Sequence, residues 1–447
     1  MRKTLKILIC FFAALLCAEL GFLGYMHLNP DRQAPVIQAE PVTLPTDTTQ
    51  TPTETTQPEQ TQPTETTEAP TEAPTETIPP TTEPGPEHFL LTFAGDCTLG
   101  SAPGDFTSPH SFISTVGTDY GYPFRNVAEY FMNDDFTIIN LESVIADSGY
   151  AAAKLFCFRG PTEYTQILTG SSVEAVTLAN NHTGDFGKEG YDSTVQALTG
   201  AGVPFVEENK TKIVTTQSGL TIGLYADAFA FKVEDIQKNV KALRDQGAEI
   251  VICAYHWGTE GSYRATADQE KFARASIDAG ADIVYGHHPH VLQRIEQYGN
   301  GVIMYSLGNF SFGGNNFPRD LDSALVQLEV IRELDGTIRL GQMTLIPVSV
   351  SSMAVQNNFQ PTPYVIGSAE YLRVLSKLDG TFTGPDLVVD YSHLQPTETP
   401  TEPEGGETPS QPEEGGQTPP EDSGDTGSTP ETPPPAPEGG DNSTPEG

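Results

Sequence analysis

Residues 282–290 read Asp282-Ile283-Val284-Tyr285-Gly286-His287-His288-Pro289-His290. A short β-branched and apolar run breaks at a glycine into three histidines. A run of this length bounded by Gly and Pro is a buried strand, and histidines just beyond its end are placed to bind a metal or move a proton. An extended Gly286–His290 segment, stiffened by Pro289, would turn His288 and His290 to the same side.

The same grammar recurs along the chain. Phe89 to Ala94 ends in Gly95-Asp96, and Phe136 to Asn140 ends next to Glu142. Glu174 to Leu178 leads to Asn181-His182, and Glu249 to Ala254 leads to His256-Trp257-Gly258. Further strands are expected at Leu220 to Tyr225 and Val302 to Tyr305, and helices over Gly187 to Gly200, Val233 to Gln246 and Ala265 to Ala279. Beyond Asn316 the pattern is strand-rich, with Leu325 to Val330 and Thr337 to Pro347. Alternating βα units followed by hairpins predict an α/β or α+β layered sandwich. In open α/β sheets the carboxyl ends of the strands share the edge that hosts the site, so these polar residues are expected to converge.

Each of these residues has a bland reading as well. Asp96 could cap a turn, Glu142 could be a surface carboxylate, and Asn-Asn-His is a common turn sequence. Trp257, the single tryptophan, reads as a packing residue. Together, carboxylate, amide and imidazole donors without a thiolate suit two divalent cations such as Mn, Fe or Zn. Such cations bind an anionic oxygen and lower the pKa of a water. There is no Gly-x-Ser-x-Gly elbow, Walker loop or Gly-x-Gly-x-x-Gly fingerprint, and Cys97 has no evident activating base.

Composition bounds the organisation of the 447 residues. Gln33 to Glu87 carries ten Asp or Glu and no Lys or Arg, and Pro396 to Gly447 carries thirteen and none. Both are rich in Pro, Thr and Glu or Gly and cannot bury a core. They are expected to be a disordered stalk (33–87) and a disordered acidic tail (396–447), leaving 88–395 as the folded domain. The net charge of −37 falls to about −16 within that domain, which argues against a nucleic-acid surface. The five cysteines form no disulfide or zinc-knuckle pattern. At the front, Arg2, Lys3 and Lys6 precede an apolar run from Ile7 to Met26. Its length of about 20 residues suits a bilayer. Residues 1–32 are therefore expected to be a cytoplasmic end and single uncleaved membrane span, with the domain outside the cytoplasm. A cleaved signal would want an Ala-x-Ala-like site, and a lipoprotein a small residue before its cysteine.

Six motifs in order carry a resemblance: Phe93-Ala94-Gly95-Asp96, Asn140-Leu141-Glu142, Ala179-Asn180-Asn181-His182, His256-Trp257-Gly258-Thr259-Glu260, Gly286-His287-His288-Pro289-His290-Val291 and Ser306-Leu307-Gly308-Asn309-Phe310. Over about Leu90 to Pro347 the chain resembles the CapA family of capsule-synthesis proteins, which are related to calcineurin-like metallophosphoesterases. The resemblance implies a four-layer αββα sandwich. It also implies a membrane-attached cell-surface protein that works with other capsule proteins in poly-γ-glutamate synthesis or export. The site would be phosphoesterase-like or hydrolytic, with the anionic polymer or a phosphoester as substrate. A non-enzymatic, polyanion-binding component of that machinery or of the wall is the alternative. On the phosphoesterase pattern Asp96 and His290 would hold one metal and Asn181, His256 and His288 the other, with Glu142 between them. His182 would be the proton donor. Asn140, Glu260, His287 and Asn309 would stand behind the ligands or face the substrate. Thr98 occupies the place of a histidine in the phosphoesterase pattern, and Glu142 that of an aspartate.

Overall fold

The computed structural model describes residues 85–391. The expected membrane span, the stalk up to residue 84 and the acidic tail lie outside the described residues. Among the described residues no helix is long and apolar enough to cross a membrane.

In chain order the first strands are β1 (Glu87–Thr98), β2 (Phe136–Leu141), β3 (Val144–Ile145), β4 (Arg159–Gly160), β5 (Ala175–Thr177), β6 (Phe205–Val206), β7 (Lys210–Thr215) and β8 (Thr221–Ala228). They are followed by β9 (Ile250–His256), β10 (Ile283–His287), β11 (Ile295–Tyr298), β12 (Gly301–Met304), β13 (Asn309–Phe312), β14 (Asp322–Arg332), β15 (Ile338–Ser349) and β16 (Thr362–Pro363). The longer helices are α1 (Gly187–Ala201), α2 (Val233–Asp245), α3 (Ala267–Asp278) and α4 (Ala369–Leu378). One sheet has the order β16-β15-β14-β1-β2-β5-β6, with β13 also paired to β1, and a second has the order β11-β12-β10-β9-β8-β7. β1, β2 and β5 run parallel, as do β8, β9, β10 and β12, so the carboxyl ends within each sheet share an edge.

Strand alternation explains the layering. Phe89, Leu91 and Phe93 of β1, Ile138 of β2, Leu224 of β8, Ile252 of β9 and Ile283 of β10 bury together between the two sheets. On the other face of the first sheet, Ala94, Cys97, Ile139 and Leu141 meet Leu198 of α1 and the aromatic side chains of Phe112 and Phe124. On the other face of the second, Val251, Cys253 and Val284 meet Ile236, Val240 and Leu243 of α2 and Ala273 of α3. Both faces of the central strands β2, β9 and β10 are covered, so these read as continuous apolar runs. The result is a mixed α/β sandwich. Local signals agree with it: α3 opens on a Thr266/Gln269 capping box, and α1 stops at Gly202 in the left-handed region.

One helix departs from the strand-rich expectation beyond Asn316. α4 begins at Ser368, whose hydroxyl accepts from the Tyr371 amide, and buries Tyr371, Val374 and Leu378 at helical spacing. Lys377 is also buried there, 2.7 Å from both Asp320 and Asp322, while Arg373 grips Asp322 at 2.7 Å. Lone charges would be costly to bury, and this shared network ties α4 to the start of β14.

At the opposite ends of the strands, Asp134 and Glu174 lie half-buried, each bonded to Thr137. Burial pushes Asp134 up to about 6 and Glu174 to about 7, hydrogen bonds from Thr137 opposing it in part. In the unfolded chain the two titrate near 3.8 and 4.5. A carboxyl with a raised folded pKa favours the fold while protonated, and that contribution is lost as pH rises through the folded value. We therefore expect the thermal midpoint to carry a falling component between about pH 4 and pH 7. The Asp134→Asn/Glu174→Gln variant should lose that component, and identical pH profiles for variant and wild type would refute the assignment.

Candidate metal centre

The site is assembled where inner-face alternation runs off the strand ends. His256 continues the inner row of Ile252 and Ala254 on β9, and His287 continues Ile283 and Tyr285 on β10. Asn140 continues Ile138 on β2. Asp96 would point outward by simple alternation from Phe93, but the β1–β2 register slips by one residue between Phe93 and Asp96. This bulge turns Asp96 inward and Cys97 outward. Gly95 is required at the bulge, since a β-carbon there would lie 2.1 Å from the Gly308 carbonyl oxygen. The Asp96 amide donates to that same oxygen at 2.8 Å. Glu142 is fixed by its backbone N–H, which donates to the Cys97 carbonyl at 2.9 Å, and by Thr98 Oγ1, which donates to the Glu142 carbonyl at 3.1 Å.

The histidine segment differs from the extended form expected of it. β10 ends at His287, and His288 and His290 adopt φ of 94° and 56°. Side chains rarely enter that region, and such residues persist where the surroundings impose them. The turn, rather than strand alternation, brings the two rings to 5.9 Å between centroids.

Glu142 lies at the middle of the site. Its buried Oε1 has no hydrogen-bond partner, yet His290 Nε2 lies 3.8 Å away and His182 Nε2 and His256 Nε2 each 3.9 Å. Asn140 Nδ2 donates to Glu142 Oε2 at 3.2 Å and to Asp96 Oδ1 at 3.0 Å. Asp96 also meets His287 Nδ1 at 2.8 Å and His290 Nδ1 at 3.4 Å. His290 Nδ1 lies 2.9 Å from Asn309 Oδ1, and His256 Nε2 lies 2.8 Å from Asn181 Oδ1. Donor atoms of Asp96, Glu142 and His256 gather within 4.8 Å of one another, as do those of Glu260, His288 and His290. All eleven residues singled out in the sequence thus come together at one place.

Sequence reasoning missed two neighbours. Asp185 Oδ2 lies 2.8 Å from His182 Nδ1 and accepts from the Phe158 amide at 2.6 Å. Lys154 pairs with Asp185 and donates to the Asn181 carbonyl at 2.6 Å. An acidic residue one turn after a histidine was a usable signal for Asp185. Nothing local marks Lys154, which arrives on the loop between β3 and β4. Trp257 is a packing residue, its Nε1 donating to the Tyr305 carbonyl at 2.9 Å. Burial pushes the Cys97 thiol far up, away from the thiolate form that a nucleophile needs.

The electrostatics favour positive charge at the site. Among the described residues, no Lys or Arg forms an ion pair with Asp96 or Glu142. Burial, with the Asp96 charge adding to it, holds Glu142 well above the usual carboxylate range. Burial would raise Asp96 too, but hydrogen bonds from His287 and His290 hold it well below. Burial would lower His290, but Glu142 and Asp96 outweigh it and push that imidazole up to about 10. Burial and the neighbouring His290 take His288 down to about 4, and burial also keeps His256 well below its ordinary value. A buried carboxylate oxygen without a hydrogen-bond partner, faced by two imidazoles whose pKa burial lowers and by His290, which is drawn toward its cationic form, is a setting that fits divalent cations. Asp96, Glu142, Asn181, His256, His288 and His290 have the donors to hold them. The site opens into a cleft of about 1160 Å³ bordered by Lys154, Phe156, Phe158, His182, Glu260 and Tyr391. That is room for far more than an inorganic anion.

Residues 90–314 match the family described as bacterial capsule synthesis protein PGA_cap. The chain is 32% identical over 270 residues to the capsule biosynthesis protein CapA of Bacillus anthracis, covering 54% of this chain and 64% of that one. It is 31% identical over 287 residues to the PGA biosynthesis protein CapA of Bacillus subtilis (strain 168), covering 58% and 74%. The match therefore spans just under two thirds of the B. anthracis relative. Among solved structures, the NAD nucleotidase of Haemophilus influenzae is similar at 12% identity and a TM-score of 0.34, covering 66% of this chain and 63% of that one. So slight a likeness carries no argument about chemistry. The family match takes in half of the chain and all but the last part of the domain that builds the site, and the protein belongs to the bacterial capsule synthesis PGA_cap family.

Proposed function

We propose that this protein is a membrane-anchored, extracytoplasmic component of poly-γ-glutamate capsule synthesis or export, with a metal-dependent hydrolytic site of the metallophosphoesterase kind. The two facing sheets with helices outside them support the four-layer αββα reading. The names of the Bacillus relatives support the capsule role. One observation carries the site: Glu142 Oε1, buried and without a hydrogen-bond partner, faces three imidazole nitrogens at 3.8–3.9 Å.

Divalent cations held by Asp96, Glu142, Asn181, His256, His288 and His290 would supply Lewis acidity toward a phosphoryl or acyl oxygen. His182 has a separate task. Asp185 engages its Nδ1, which leaves Nε2 facing Glu142 and the cleft. A ring oriented this way can pass a proton to a leaving group. Burial lowers the His182 pKa against the opposing pull of Asp185, so the proton is readily released. Phe158 packs against the ring at 4.6 Å between centroids.

Metal-loaded protein should turn over at least one generic substrate, a phosphodiester or a γ-glutamyl amide, and chelation should stop it. Stoichiometric metal without turnover of either would contradict hydrolysis and favour a site that only grips a polyanion.

A further inference from the structure

Glu260 lies on the loop after β9, and two other segments are bonded to that loop. The Gly261 amide donates to the Pro289 carbonyl at 2.8 Å, joining this loop to the turn that holds His288 and His290. The Leu387 amide donates to the Gly261 carbonyl at 2.9 Å, joining the loop to the segment after α4. From that segment Tyr391 Oη donates to Glu260 Oε2 at 2.5 Å, while the Tyr391 ring packs edge-on against Phe156 at 5.0 Å. The Glu260 carboxylate is thus held in place, with a donor atom within 4.8 Å of those of His288 and His290. His288 is only 9% exposed, and its Nδ1 has no hydrogen-bond partner.

We propose that Glu260 is a further metal ligand, a third carboxylate beside Asp96 and Glu142, and that Tyr391 is its positioning residue. The inference rests on the metal-centre reading and adds a donor that the phosphoesterase pattern does not supply. Thr98 stands where the phosphoesterase pattern that the chain resembles has an imidazole, and Glu260 would add a donor to the set. It also changes the charge. Two divalent cations against two carboxylates leave a strongly positive centre, and a third carboxylate brings it closer to neutrality, so cation affinity depends on it.

The test is titration calorimetry of the metal-stripped full chain in detergent with Mn²⁺ alone. Glu260→Gln keeps shape and removes charge, and it should weaken one class of binding by at least about 10-fold, with Glu260→Asp in between. Tyr391→Phe, remote from the core and safe for folding, should weaken the same class by a smaller factor while the other class is unchanged. Wild-type stoichiometry and affinity in both Glu260→Gln and Tyr391→Phe would overturn the proposal and leave the rest of the centre standing. Absence of Mn²⁺ binding by the wild-type chain would overturn the metal centre itself, and this proposal with it.

Discussion

His182→Ala is expected to lower any turnover by about 100- to 10,000-fold, the usual worth of a positioned general acid or base, while bound metal should stay at the wild-type level. The separation follows from geometry. His182 approaches Glu142 through Nε2 at 3.9 Å but spends Nδ1 on Asp185, and it is absent from both clusters of donor atoms within the site. His256 and His290 belong to those clusters, so His256→Ala and His290→Ala should lose metal and activity together. Metal analysis and initial rates on the same preparations separate the two patterns. A His182 variant that also loses its metal would make His182 a ligand and remove the proposed proton donor.

Glu142→Ala is expected to abolish the stabilisation that metal gives. Glu142 lies within reach of imidazoles from three separate segments, and its Oε1 is left without a partner unless a cation supplies one. A ligand at 100 times its dissociation constant stabilises a fold by about 2.7 kcal/mol. Wild-type protein should therefore show a clear rise in thermal midpoint on adding Mn²⁺ or Zn²⁺, and Glu142→Ala should show almost none. An equal rise in both proteins would mean that the cation binds elsewhere.

Most strands were legible because each sheet is covered on both faces, so β9 and β10 read as unbroken apolar runs that stop at His256 and His287. α1, α2 and α3 were legible from helical spacing and a glycine stop. Residues at strand ends could also be gathered into one site from sequence, since parallel strands deliver their carboxyl ends to a common edge. What escaped was set by tertiary contact. The bulge that turns Asp96 inward depends on the Gly308 carbonyl packing against Gly95, over 200 residues away in the chain. The left-handed His288 and His290 are imposed by surroundings that local propensity does not encode. α4 was missed although Tyr371, Val374 and Leu378 carry its spacing, because Lys377 and Arg373 make the segment look solvated until Asp320 and Asp322 are placed beside them. Lys154 and Tyr391 reach the cleft on loops with no periodic signal.

Everything proposed for the site rests on this cluster of carboxylates and histidines being a metal centre. Elemental analysis of the full chain, purified without chelator and dialysed against metal-free buffer, tests it most directly. About two equivalents of Mn, Fe or Zn per chain are expected, falling sharply in His256→Ala and His290→Ala with the fold intact by circular dichroism. Metal no higher in the wild type than in Glu142→Ala, before and after incubation with each cation, would contradict it.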